Sequence, residues 1–125
     1  MAKDHRVLFI DDERELSTVR GVRYREMVGL RPFTTEEKDV LWGHPHVDIA
    51  RNYDEAITFL STNKYDMVLF DHDLGPGKNG MDIAKWVTQN IKEPLLHYVH
   101  SANVIGRINI DLLIKQYFDS IRVKC

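Results

Sequence analysis

The sequence predicts an α/β fold, a parallel sheet with helices packed on both faces in three layers, and three observations carry that expectation. Uninterrupted apolar runs occur at residues 7–10 (Val-Leu-Phe-Ile) and 67–70 (Met-Val-Leu-Phe). Short runs without polar alternation suit strands covered on both faces. Between such runs, apolar residues recur at helical spacing, and strands alternating with helices call for right-handed crossovers within a parallel sheet. Finally, each run stops on acid, the first at Asp11 and Asp12, the second at Asp71 with Asp73 close behind.

Taken in order, the first strand is followed over residues 15–30 by Leu16, Val19, Val22, Met27 and Leu30 among charged neighbours, an amphipathic helix. Residues 31–46 exceed the usual helix-to-strand link of about 2 to 6 residues, so an extra helix or loop is inserted there. Thr34 with Glu37 fits a capping box, and Gly43 after Trp42 fits a stop. A second strand over 47–51 leads to Asp54, a possible cap for a helix through Leu60 that turns Ala56, Ile57 and Leu60 inward. After the third strand, Gly75, Pro76, Gly77 and Gly80 mark a turn, and a helix over 81–90 carries Ile83, Ala84 and Val87 on one side, with Trp86 packing partly against the sheet. Pro94 sets off a fourth strand at 95–99, residues 105–118 are helical by pattern, and 121–123 form a short fifth strand.

At 125 residues, with 43% hydrophobic and 29% charged residues, one core is expected, making residues 1–125 a single domain with its insertion at about 31–46. No apolar run approaches the 18 or so residues of a membrane span and no signal-peptide pattern opens the chain, so a cytoplasmic protein without membrane contact is expected. Cys125 is the single cysteine and rules out an internal disulfide. The formal net charge of −2 supplies no drive toward nucleic acid, and Arg14, Arg20, Arg23, Arg25 and Arg31 read as a solvated helix face.

In open parallel sheets, ligands collect beyond the carboxyl ends of the strands. Asp11 and Asp12, Asp71 and Asp73, and His100 with Ser101 follow three different strands, so they converge on one rim. Two carboxylates about 4 Å apart repel by ~1 kcal/mol in water and ~4 kcal/mol at an effective dielectric of 20. A cation relieves that repulsion, and oxygen ligation without cysteine favours Mg²⁺ or Mn²⁺, with phosphate oxygen completing the shell. Asp11, Asp12, Asp71 and Asp73 are therefore the candidate metal ligands, Asp73 through its side chain or its backbone carbonyl.

Phe9-Ile10-Asp11-Asp12-Glu13, Leu69-Phe70-Asp71 and Ser101-Ala102 together resemble the receiver domain of two-component response regulators. That resemblance implies a flavodoxin-like sheet of five strands in the order 2-1-3-4-5. It also implies Asp71 as phosphoacceptor or its equivalent, Asp12 as a direct metal ligand, Asp11 as a metal or water ligand, and Ser101 as the hydroxyl that binds the phosphoryl group. The lysine of that family has only Lys124 as a counterpart, Cys125 stands where proline would follow, and the last helix is missing. A variant, the cyclic-phosphate processing receiver domain, resembles the chain in two further stretches. They are Asp71-His72-Asp73-Leu74 with Gly80-Met81-Asp82-Ile83-Ala84-Lys85-Trp86, and His100-Ser101-Ala102-Asn103 with Gly106-Arg107-Ile108-Asn109.

The resulting expectation is a divalent-metal, phosphate-binding pocket that processes a cyclic phosphate or related phosphoester, its substrate a phosphorylated small molecule or nucleotide. Asp71, His100, Ser101 and Asn103 are the candidate catalytic residues. Histidine exchanges protons near neutral pH and suits an acid or base at position 100. Ser101, Lys124 and Arg107 are candidate phosphate contacts, although a surface salt bridge also accounts for Arg107. Strand alternation points His72 away from Asp71 and Asp73, a structural placement, and would set His100 and Ser101 on opposite faces unless the chain turns there. The alternative, from a different class, is a non-enzymatic phosphoacceptor phosphorylated on Asp71 by a histidine kinase. A third is a pocket that binds a nucleotide or partner without chemistry.

Overall fold

The computed structural model describes residues 4–123. Strands β1 (Arg6–Ile10), β2 (His46–Ala50), β3 (Met67–Phe70) and β4 (Leu96–Val99) form one parallel sheet in the order β2-β1-β3-β4. Helices α1 (Leu16–Arg20), α2 (Val22–Val28) and α3 (Thr35–Leu41) follow β1; α4 (Tyr53–Thr62), α5 (Gly80–Asn90) and α6 (Val104–Val123) follow β2, β3 and β4. Alternation along β1 and β3 divides the core. Leu8, Ile10, Val68 and Phe70 pack against Ala56, Leu60, Ile83, Val87, Ile110, Ile114 and Phe118 from α4, α5 and α6. Val7, Phe9, Met67, Leu69 and Tyr98 meet Val19, Tyr24, Phe33, Val40 and Leu41 on the other face.

The five-stranded sheet expected from the sequence is corrected to four strands, and the chain has a C-terminal helix where the last helix was expected to be missing. Residues 121–123 are the end of α6 and not a fifth strand. Ile110, Ile114 and Phe118 recur every fourth residue, Tyr117 and Ile121 extend the same apolar side, and no Gly or Pro interrupts them. That period holds one helix together past the point where a strand was expected.

The helix expected over 15–30 is two short ones, because Gly21 adopts an extended backbone (φ −71°, ψ 136°) and its N–H turns back to the Thr18 carbonyl. The insertion holds the expected extra helix, and Thr34 and Glu37 close its capping box. The buried Glu37 carboxylate also takes both arms of Arg31 at 2.7 Å. Phe33, Val40 and Leu41 complete the second core layer, with the Phe33 ring 4.3 Å from that of Tyr98. The insertion is thus the roof of one sheet face. Trp42 packs edge-on against Phe33 in that layer, while Trp86 packs against the opposite layer. Asn52 caps α4 in place of the expected Asp54, which sits in the first turn.

Candidate functional site

Backbone hydrogen bonds carry the ladder one residue past the strands. Asp11 N–H donates to the Ala50 carbonyl (3.1 Å) and His100 N–H to the Phe70 carbonyl (2.9 Å). Asp11, Asp71, His100 and Ser101 are thereby fixed at the carboxyl rim, all of them buried. One ligand atom each from Asp11, Asp71 and His100 lies within 4.8 Å of the others, the one such acid and histidine cluster among the described residues.

His100 is held from three sides. Its ring stacks on Phe9 (centroids 4.9 Å apart, 17° between planes), its Nε2 lies 3.1 Å from Asp11 Oδ2, and its carbonyl accepts the Tyr24 hydroxyl at 2.9 Å. Nδ1 is buried with no hydrogen-bond partner among the described residues. A single ring proton belongs on Nε2, where Asp11 accepts it, since a proton on Nδ1 alone would be a buried donor without an acceptor. Because β4 ends at Val99, alternation no longer governs the next two residues, and both are buried at the rim, His100 reaching Asp11 while the Ser101 Oγ accepts the Asn103 N–H at 3.1 Å.

The two acids differ in their surroundings. Burial pushes the Asp11 carboxyl up, but the His100 hydrogen bond and the backbone N–H groups of Arg14 (2.7 Å) and Glu13 (2.9 Å) together outweigh it and hold it well below the usual carboxylate range. For Asp71, burial prevails and pushes its pKa up, against His100, with the Asp11 charge adding to the rise and Ser101 and Arg14 opposing it. Arg14 serves both, its Nη1 3.4 Å from Asp11 Oδ2 and 3.6 Å from Asp71 Oδ2. Burial raises the Tyr24 hydroxyl pKa beside it, against the charge of Arg14.

Other expected residues lie elsewhere. Asp12 is exposed and outside the cluster. Asp73 is exposed, with Oδ1 2.8 Å from His72 Nδ1, so His72 faces Asp73 after all, because the strand ends before it. Asn103 holds the start of α6, its Oδ1 accepting Gly106 N–H at 2.9 Å, while its Nδ2 lies 3.4 Å from His72 Nδ1 and from Asp73 Oδ1. Arg107 donates to the carbonyls of Ser101 (3.0 Å) and Val28 (3.3 Å), bracing the rim. Lys124 lies outside the described residues. Two glycines allow close approach: a Cβ at Gly80 would lie 1.9 Å from the Asp71 carbonyl oxygen, and one at Gly106 would lie 2.4 Å from the His72 ring. Sequence reasoning missed Arg14 and Tyr24. The signal for Arg14 was its place three residues after Asp11, in the turn that leaves β1.

A four-stranded parallel sheet with buried acids beyond β1 and β3 defines a receiver-type fold. Its likeness to one solved structure agrees in fold. A CheY-like response regulator receiver domain protein from Methanospirillum hungatei is 16% identical, the match covering 98% of this chain and 100% of that one at a TM-score of 0.52. The response regulator TrrA from Thermotoga maritima, solved in complex with Mg²⁺-BeF, is 22% identical over 76% of this chain at a TM-score of 0.47, and the match spans 65% of that longer chain. No curated protein sequence matches. The chain matches the cyclic-phosphate processing receiver domain family over residues 6–116 and belongs to it. No helix among the described residues is long and apolar enough to cross a membrane.

Proposed function

We propose that the chain is a phosphoacceptor receiver in which Asp71 takes a phosphoryl group from a phosphohistidine donor with the help of a divalent cation. The observation that carries this reading is the pairing of two buried carboxylates at neighbouring strand ends, Asp11 tied to the Glu13 and Arg14 N–H groups and His100, and Asp71 beside it with fewer donors and Ser101 buried at the same rim. Asp11 and Asp71 fit a hard cation, and oxygen donors favour Mg²⁺ or Mn²⁺. Bound there, such an ion supplies charge neutralisation for phosphate oxygens. An Asp71 oxygen forms the new bond to phosphorus, the phosphorus–nitrogen bond of the donor breaks, and the donor imidazole leaves with a proton from solvent. Ser101 donates to a phosphoryl oxygen, and His100 keeps Asp11 in place.

The second reading, hydrolysis of a cyclic phosphate, is favoured by membership of the family and by His100 standing beside both acids. It ranks second because an acid or base must come within hydrogen-bond reach of the proton it moves, whereas His100 is fully buried and its Nε2 faces Asp11. Incubation with acetyl phosphate and Mg²⁺, followed by mass spectrometry, tests the two. A phosphorylated protein, lost in Asp71→Asn, supports the phosphoacceptor. Turnover of a 2′,3′-cyclic nucleotide that disappears in His100→Ala, without protein phosphorylation, overturns it in favour of the enzyme.

A further inference from the structure

Arg14 lies over the cluster in a way that its place in a row of arginines does not suggest. Its backbone is pinned: the N–H donates to Asp11 Oδ1 at 2.7 Å, and the carbonyl accepts Arg51 Nη1 at 2.7 Å. Its guanidinium is held more loosely. Charge-assisted N–H···O⁻ bonds usually measure about 2.7–2.9 Å, and the Arg31 fork on Glu37 meets that standard with both arms at 2.7 Å. Arg14 Nη1 stands 3.4 Å from Asp11 Oδ2 and 3.6 Å from Asp71 Oδ2. The head group also lies 5.3 Å from the centre of the buried Tyr24 ring. Arg14 keeps 29% of its side chain exposed, against 0% for Asp11 and 4% for Asp71.

The two carboxylates that face the guanidinium, Asp11 and Asp71, are also the two acids of the cluster that could hold a divalent cation. A double charge brought to both would meet the single charge of Arg14 at close range, where like charges repel by several kcal/mol even at an effective dielectric of ~20. With its backbone fixed and its head loose and partly open to solvent, the arginine can move aside by side-chain rotation alone. We propose that Arg14 is a displaceable internal counter-ion: it bridges Asp11 and Asp71 until a divalent cation enters, then gives way, and so sets the cation concentration at which the site loads. This rests on the metal-assisted reading above and adds to it a residue that opposes loading.

The test compares wild type, Arg14→Gln and Asp71→Asn after treatment with chelator. Mn²⁺ binding is followed by electron paramagnetic resonance of the free ion, and melting by circular dichroism. The expected result is at least tenfold tighter Mn²⁺ binding in Arg14→Gln, together with a lower melting temperature in chelator, because the paired carboxylates lose their counter-ion. Loss of binding in Asp71→Asn identifies the site that the titration reads. Equal or weaker Mn²⁺ binding in a folded Arg14→Gln overturns the proposal while leaving the metal site standing. No Mn²⁺ binding by wild type overturns the metal reading and the proposal together. A measurement independent of the variant's folding follows the Arg14 Nε–H of wild type by NMR during Mg²⁺ titration. A changed shift and faster exchange on loading support displacement, and an unchanged signal at saturation refutes it.

Discussion

Gly80→Ala tests the joint between the fold and the site. Gly80 opens α5 directly against the end of β3, and an added Cβ would stand 1.9 Å from the Asp71 carbonyl oxygen, 2.8 Å from its carbon and 3.0 Å from the His72 Cα. Every one of those atoms is backbone, so no side chain can rotate away; α5 and the strand end must separate by about 1.5 Å to restore ordinary contact. That movement strains the Gly80 N–H bond to the His72 carbonyl (2.8 Å) and the cap in which Asn79 and Asp82 satisfy each other. Overpacking costs about 1–3 kcal/mol and loss of a cap about 1 kcal/mol, against a helix-propensity gain of at most about 1 kcal/mol. The net expectation is a loss of roughly 1–3 kcal/mol, or on the order of 10 °C in melting temperature. Urea denaturation measures it, with Gly75→Ala as control: that glycine has φ +78° and nothing within 4 Å, so only the left-handed backbone cost of ~1–2 kcal/mol applies. Because Asp71 moves with its carbonyl, Mn²⁺ binding should weaken in Gly80→Ala and not in Gly75→Ala. A Gly80→Ala protein no less stable than Gly75→Ala would falsify the close-approach argument.

Four further outcomes follow from the same geometry. Tyr24→Phe leaves the His100 carbonyl buried without its 2.9 Å donor and should cost about 1–3 kcal/mol in urea melts; a change within about 0.5 kcal/mol would refute the role given to that hydroxyl. Arg31→Ala strips the buried Glu37 carboxylate of both 2.7 Å contacts and should destabilise by about 3 kcal/mol, with Arg31→Lys recovering only part. Asp48 is pushed up by burial, but hydrogen bonds from Tyr65 (2.7 Å), Arg6 and His46 overcome this and hold it below its ordinary value. Its contribution is present above the unfolded-state pKa of about 3.9 and is lost as pH falls through the lower folded value, so Asp48→Asn should be less stable at pH 7 and its deficit should shrink in acid; a deficit that stays constant with pH argues against it. Mn²⁺ at about one hundred times its dissociation constant should add ~2.7 kcal/mol to wild type and nothing to Asp71→Asn, as read by thermal melts.

Much of the layering was legible because buried parallel strands announce themselves. Residues 7–10 and 67–70 are apolar without a break, and both are buried throughout in the sheet. The capping box at Thr34 and Glu37 was legible because it is a local device, set by a three-residue spacing. The fifth strand failed because Ile-Arg-Val at 121–123 satisfies either period when taken alone. The acids at 11 and 71 were visible as strand ends, yet the direction of a side chain after a strand stops is not written in alternation. Asp12 and Asp73, which follow the same strand ends, are exposed and lie outside the cluster of Asp11, Asp71 and His100. Arg14 was seen as charge and missed as position, since spacing alone does not say that a turn folds its guanidinium back over the rim.

The placement of the two tryptophans gives this protein a built-in pair of reporters. Trp42, near the Arg20 guanidinium and Phe33, reads the roof formed by the insertion, and Trp86, on α5, reads the opposite layer. Replacing one at a time with Phe turns a single fluorescence melt into two separate records. If the roof lifts before the sheet comes apart, the Trp42 record will lead the Trp86 record. The insertion would then be a separately melting shelf over an otherwise intact sheet.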